Sequence, residues 1–469
     1  MKLIKTAAAA AISLALLTGC NSEAPVVEPV PENKLVRIST YNLSFDRSSF
    51  EQLADEMSLT KAEQDILIAG WFEGSLSEQD LEAAEKVIQI RNVAAVIQTE
   101  RPAVILMNEF NNDGIAEDTT ALLGFQQNYL AVAQNGEGAS STEVRMLEPI
   151  EFPYSDNYQT NTGLMSGFDL DRDGVVDGGP DDAWGFGLYH GQYAFALLSM
   201  YPIDEDKVRT FQTFKWKDMP GETNPTITNC DDENNPIPAG MACGDQWYTA
   251  EAWAEKPMSS KNHVDAPIIV PTENGDKVVH LLLSHPTPPV FDTLTENNKM
   301  LNRAEVDFWL DYVSGNGSGD YIYDDKGVTG GLADDASFVI MGDLNADPIS
   351  GDGDLTAIND LLNSEHVNVE ATNGVYAPVS YGGPECITLQ ECKEENWDTT
   401  YPDRITGDGG LRMDYTIPSS DLTVTDSGVF WPATFEEGRK LMNDELVGEE
   451  GGGKDISSDH RLVWIDVVL

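Results

Sequence analysis

Phe338-Val339-Ile340-Met341-Gly342-Asp343-Leu344-Asn345-Ala346-Asp347-Pro348 sets the pattern for the whole chain. Four apolar residues in a row predict a buried strand, too short to be a helix of its own. Gly342 would let the chain turn at the strand's end. Asp343 and Asn345 follow two residues apart, on one face of an extended chain. One is an anion able to bind a metal or orient water, and the other is an amide able to donate to a phosphate oxygen. An Asx-turn accounts for the same pair. What gives the stretch weight is that other apolar strands end in the same way.

Leu35–Leu43 alternates β-branched and polar residues and ends at Asn42. Ser77 and Asp80 predict a helix start, with Leu81, Ala84, Val87, Ile88, Ala94 and Ile97 on its face. Arg101-Pro102 stops that helix, and the strand Ala103–Met107 runs into Asn108-Glu109. Gly191–Ser199 has strand character and follows His190. Val278–Ser284 ends at His285, where Pro286, Pro288 and Pro289 forbid continuation. Residues 302–312 read as helix, Leu411–Ile417 as a strand carrying Asp414, and Asp459-His460 precedes a last strand, Leu462–Leu469. The chain has only six histidines, so two of them at strand ends is notable. Strands alternating with helices from 34 to 469 predict one α/β domain, with insertions near 111–185 and 211–263.

Residues 1–20 have the layout of a secretory signal: Lys2 and Lys5, an apolar run from Ala7 to Leu17, then Leu17-Thr18-Gly19-Cys20. That ending resembles a bacterial lipoprotein signal, with Cys20 as the lipidated new N-terminus. Asn21 after it is the choice expected for passage to a Gram-negative outer membrane. Residues 21–33 read as a Pro- and Glu-rich tether. The chain is then expected to be exported and held to a membrane by its lipid, as a monomer. Four further cysteines, Cys230, Cys243, Cys386 and Cys392, suit disulfides in an exported chain, with the close pairs the simplest of three connectivities. A zinc site lacks accompanying histidines.

The net charge is −52. Such a surface repels polyanions unless salt or divalent ions screen it, which counts against tight duplex binding. A salt-rich habitat accounts for the acidity without reference to a substrate. Asp169, Asp171, Asp173 and Asp177 alternate around Gly174 like the first half of an EF-hand loop. Pro180 stands where the bidentate Glu belongs, so the pattern is closer to the shorter calcium loops of extracellular modules, and structural Ca2+ is expected. Trp216, Trp247 and Trp253 mark 211–263 as a substrate-side insertion, from which Lys261 and His263 are candidates to face a cleft.

Thr40-Tyr41-Asn42, Met107-Asn108-Glu109, Ser284-His285-Pro286, Gly342-Asp343-Leu344-Asn345, Arg412-Met413-Asp414-Tyr415 and Ser458-Asp459-His460 resemble, in order, the motifs of the endonuclease/exonuclease/phosphatase superfamily. The resemblance implies a DNase I-like, four-layer αββα sandwich of two packed mixed β-sheets. It also implies a hydrolase of phosphodiester or phosphomonoester bonds using Mg2+ or Mn2+. Glu109 would hold the cation, with Asn42 and Asp459 completing its shell. Asp343 would position or deprotonate water, and Asn345 would donate to charge developing on phosphorus. His460, oriented by Asp414 and made more basic by it, would bind a phosphoryl oxygen or share in proton transfer, and His285 would contact the scissile phosphate. Ser44 stands where some relatives carry an acidic ligand, which puts a second cation in doubt. An extracellular DNase or RNase is the rival within enzymes. A non-catalytic, calcium-stabilised surface lipoprotein is the rival outside them.

Overall fold

The structure is a computed structural model and describes residues 34–176, 178–389, 400–442 and 456–469. Eleven strands form two sheets among the described residues. The first sheet takes β1 (Leu35–Asn42), β2 (Val104–Asn108), β3 (Tyr154–Asn157), β4 (Phe195–Ser199), β10 (Thr423–Val429) and β11 (Val463–Val468), in the order β10-β11-β1-β2-β4-β3. The second takes β5 (Arg209–Thr210), β6 (His263–Thr272), β7 (Gly275–Ser284), β8 (Ser337–Asp343) and β9 (Asp414–Pro418), in sequence order. Each sheet is mixed, with one parallel pair: β1 with β2, and β7 with β8.

The layers follow from which faces are apolar. Val36, Ile38, Leu106 and Ile465 of the first sheet meet Leu281, Leu283, Val339 and Met341 of the second in a core between the sheets. The outer face of the first sheet packs on α1 (Phe50–Ser58) and α3 (Glu78–Glu100), which are separated by α2 (Lys61–Glu73), and on α4 (Thr120–Phe125). The outer face of the second packs on α6 (Asn297–Val313) and α7 (Leu355–Leu362), reached after a short helix α5 (Ala250–Glu255). This is the four-layer αββα sandwich expected from the sequence.

Several boundaries move. Gly342 lies inside β8 and not at a turn. A Cβ there would come within 2.2 Å of the Ser284 carbonyl oxygen, so glycine permits the close approach of the neighbouring parallel strand. The segment from Gly191 pairs only from Phe195 onward, and the strand expected from Leu411 begins at Asp414. Leu81, expected on the buried face of α3, is exposed. The second half of that helix is buried nearly all round because it runs beneath two loops. There Gln89 Nε2 donates to the Ser44 and Ser457 carbonyls at 3.0 and 2.9 Å, and Asn92 Nδ2 to Ile456 O at 2.6 Å. Those buried amides fix the two loops that enter the site.

Candidate active site

Register brings the strand ends to one level. Asn42 pairs with Asn108 across β1 and β2, Ser284 with Gly342 across β7 and β8, and Asp343 with Asp414 across β8 and β9. The Asn108 side chain joins the two sheets at this level: its Oδ1 accepts from Asp343 N at 3.3 Å and its Nδ2 donates to Ser284 O at 3.2 Å. Thr40 Oγ1 adds a second link, donating to Tyr415 O at 2.8 Å.

Beyond this level three strands turn away through non-glycine residues in the left-handed region: Ser44 (φ 53°), Glu109 (φ 56°) and Asn345 (φ 49°). Such conformations cost about 1 kcal/mol or more each and persist where the surroundings hold them. The holding bonds are visible. Ser44 N donates to Asn42 Oδ1 and Asn345 N to Asp343 Oδ1, both at 3.0 Å. The Asx-turn at 343–345 therefore forms as well, and Asn345 Nδ2 is used at 3.2 Å on Pro286 O, fixing the loop after β7.

The side chains converge on Asp343. Asn42 Nδ2 donates to Asp343 Oδ2 at 3.1 Å and to Glu109 Oε1 at 3.2 Å, so two carboxylates share one amide. Asp343 Oδ2 also stands 3.6 Å from His285 Nε2 and 3.7 Å from His460 Nε2. His460 Nδ1 lies 2.9 Å from Asp414 Oδ2, an arrangement in which the ring donates to the carboxylate. Ligand atoms of Asp343, Asp414 and His460 all lie within 4.8 Å of one another. Asp459 is held by the Ser44 hydroxyl, while Ser458 Oγ donates to Asn42 O at 2.7 Å. Buried Arg461, its guanidinium 4.2 Å from the Trp431 ring centre, donates to Ser458 O at 2.8 Å and steadies this corner.

Burial and charge separate the two imidazoles. Burial works against a cation at His460, but Asp414 and Asp343 beside it overcome this and hold its pKa well above the usual value. Burial, reinforced by Lys261 and His460, pushes His285 well below it. One ring is thus the cation and the other neutral. Burial also raises Asp343, with Asp414 adding to the rise against the pull of His460. The site gathers more hard oxygen donors than its own cations match. Asp414 Oδ1 is buried and accepts no hydrogen bond. A surplus of carboxylate oxygen fits a small divalent cation such as Mg2+.

Other candidates fall differently. Lys261 reaches the site, with Nζ 3.4 Å from Pro286 O and its charge facing Glu305, Asp343 and Glu109. His263 does not. It is buried against Phe308 and Trp309 and bonded to Ser259 and to the Glu305 carbonyl, and burial lowers its pKa to about 4. Trp216 and Trp253 pack on each other in the core, whereas Trp247 faces the cleft. Asp169, Asp171 and Asp173 bring carboxylate oxygens within 4.8 Å of one another; Asp177 lies outside the described residues. Cys230 and Cys243 form a disulfide and Cys386 is disulfide-bonded. Cys392, Cys20 and the whole of 1–33 also lie outside the described residues. No described helix is long and apolar enough to cross a membrane. Asn108, Ser44, Ser458 and Glu305 were not singled out from sequence as site-building residues. Asn108 and Ser458 stood within the quoted motifs and Ser44 at a motif position, whereas Glu305 carried no signal.

The chain belongs to the endonuclease/exonuclease/phosphatase family, whose model matches residues 39–460. Members of that family are metal-dependent phosphoester hydrolases. A search by sequence finds no match among curated proteins. Among solved structures, the chain is similar to an endonuclease/exonuclease/phosphatase from Beutenbergia cavernae (14% identity, TM-score 0.41, covering 93% of this chain and 72% of that one). It is also similar to a family protein from Leptotrichia buccalis (14%, 0.38, 92% and 100%). A third is a beta toxin variant from Staphylococcus aureus with bound magnesium ions (13%, 0.35, 92% and 99%). With TM-scores this low, the family assignment rests on the family model.

Proposed function

We propose that this protein is an exported, metal-dependent phosphoesterase that cleaves phosphodiester or phosphomonoester bonds by attack of water. The observation that carries this reading is the meeting of Asn42, Glu109, His285, Asp343, Asp414 and His460 around one carboxylate, from strands of both sheets. Glu109 would hold a Mg2+ or Mn2+ ion, with Asn42 and Asp459 in its surroundings. When bound, the ion neutralises phosphate charge and stabilises the leaving oxygen. Asp343, whose proton affinity is raised by burial, is suited to orient and deprotonate water. The His460 cation, held by Asp414, donates to a phosphoryl oxygen or the leaving group, and neutral His285 donates a hydrogen bond without adding charge. Asn345 steadies the loop that carries His285 and Pro286.

Full-length protein should hydrolyse bis-p-nitrophenyl phosphate with Mg2+ or Mn2+ and fall silent on chelation. No turnover across a metal series would overturn the reading. The charge of −52 favours small or lipid substrates over duplex DNA, and comparing DNA, RNA and sphingomyelin at several salt concentrations tests this.

The disulfides support an oxidising compartment, and with the signal-like start of the chain they support export on a lipidated Cys20. Labelled fatty acid should enter the wild type but not Cys20→Ser. The grouping of Asp169, Asp171 and Asp173 supports structural Ca2+, which should raise the melting temperature. An unchanged melting temperature with added Ca2+ would remove that ion from the account.

A further inference from the structure

A cavity of about 660 Å3 opens from Glu109 and His285 and runs back between Trp184, Trp247, Tyr248 and Phe291. Its size suits a small organic molecule. Two of its lining residues are unexpected in so acidic a protein: Lys256 and Lys261, only 4% and 6% exposed. Among the described residues neither has a carboxylate within ion-pairing distance, although 80 Asp and Glu are available in the chain. Their nearest compensation is buried Glu305, which is already used by Ser260 N and Thr287 N at 2.9 and 2.6 Å. Burying an ammonium without a paired anion is costly, so a lysine kept this way beside a cavity points to an anion that arrives with the ligand.

The two lysines stand at different distances from the chemistry. Lys261 feels Asp343 and Glu109 and belongs to the reacting end. Lys256, at the C-terminal cap of α5, has Nζ 5.0 Å from the Tyr248 ring centre and 5.9 Å from that of Trp184. Burial lowers its pKa to about 8, the state of an ammonium awaiting a partner. The aromatic faces here are already taken by this ammonium, which argues against a cationic headgroup in the same place. Carboxylates also line the cavity, but Asp171 and Asp181 are exposed. Asp292 is engaged by Asn298 N and Lys299 N at 2.8 and 3.1 Å.

Resting on the phosphoesterase reading above, we propose that the substrate is a small phosphate ester with a planar body and a second anionic group, the latter seated on Lys256 between Trp184 and Tyr248. Thymidine 5′-(p-nitrophenyl phosphate) and its 3′-phosphorylated counterpart share a leaving group and differ only in the second anion. In the full-length protein the 3′-phosphate should raise kcat/KM by about tenfold or more, through KM. Lys256→Met should bring the ratio close to one, and Lys256→Arg, which keeps the charge, should retain it. A wild-type ratio near one overturns this inference and leaves the phosphoesterase reading in place.

Failure to turn over bis-p-nitrophenyl phosphate overturns that reading, and calorimetry in chelator then decides this one. Thymidine 3′,5′-bisphosphate binding about tenfold more tightly than thymidine 5′-monophosphate, with the gain lost in a folded Lys256→Met, upholds it; equal binding overturns it. Fructose 1,6-bisphosphate binding as tightly as the nucleotide would overturn the planar part.

Discussion

His460 and His280 make the same contact in two regions of the molecule. Each sets Nδ1 against a carboxylate, 2.9 Å from Asp414 in one case and 2.7 Å from Asp265 in the other. The difference lies at the far ends of each pair. Asp265 spends its second oxygen on the Tyr312 hydroxyl at 2.7 Å, and Arg209 in turn donates to that hydroxyl at 3.1 Å. Asp265 is thus closed on both oxygens, and these bonds brace β6 to α6. Asp414 leaves its second oxygen buried without a hydrogen bond, and His460 turns its other nitrogen towards Asp343. An imidazole–carboxylate pair marks a site when its ends are left for something else to complete.

The sharpest break of that comparison is Asp343→Asn. Loss of the carboxylate facing His460 should cost roughly 10²–10⁴ in turnover on bis-p-nitrophenyl phosphate. The same variant should melt no lower than wild type at pH 8. A carboxyl whose proton affinity rises on folding costs stability once the pH exceeds the ordinary carboxylate value of about 4, and the amide removes that cost. Wild-type rates in the variant would take Asp343 out of the mechanism.

His460→Asn should follow, with a loss of roughly 10²-fold or more. Next, Asp414→Asn should move the alkaline limb of the pH–rate profile to lower pH, because it removes the main charge that holds the proton on His460. The sign for stability is the same. A histidine raised on folding contributes fully below its ordinary value of about 6.5 and loses that contribution as pH rises through the folded value. The variant should therefore be destabilised more at pH 6 than at pH 10. An unmoved limb would show that another group sets it.

The smallest effect belongs to the closed pair. His280→Asn should leave kcat/KM within about twofold and cost roughly 1–2 kcal/mol on denaturant unfolding, because Asp265 keeps its Tyr312 bond. A large loss of turnover there would erase the distinction drawn between the two pairs.

The strands that carry the site were legible because each is an unbroken or alternating apolar run with polar residues at one end. β6 was not. Pro267 and Pro271 fall within it, and prolines ordinarily mark a strand's edge or its absence. β10, with Thr, Asp, Ser and Gly among its seven residues, lacks a β signature and forms by pairing with β11. Gly342 was visible, but its reason was not: the Ser284 carbonyl that excludes a side chain lies on another strand. Lys256 gave no signal, since a lysine is read as surface until something is found on top of it.

Sequence by itself determined an α/β domain and the order of its site residues, because apolar periodicity and the chemistry of strand ends are local properties; the two-sheet sandwich was implied by the resemblance of the ordered motifs. Which of those residues meet was decided by tertiary structure. The registers of Asn42 with Asn108 and Asp343 with Asp414, together with the packing of one sheet on the other, place carboxylates and imidazoles around Asp343 from positions hundreds of residues apart. The burial that raises Asp343 and lowers His285 belongs to that packing as well, since desolvation is a property of the surroundings and not of the side chain.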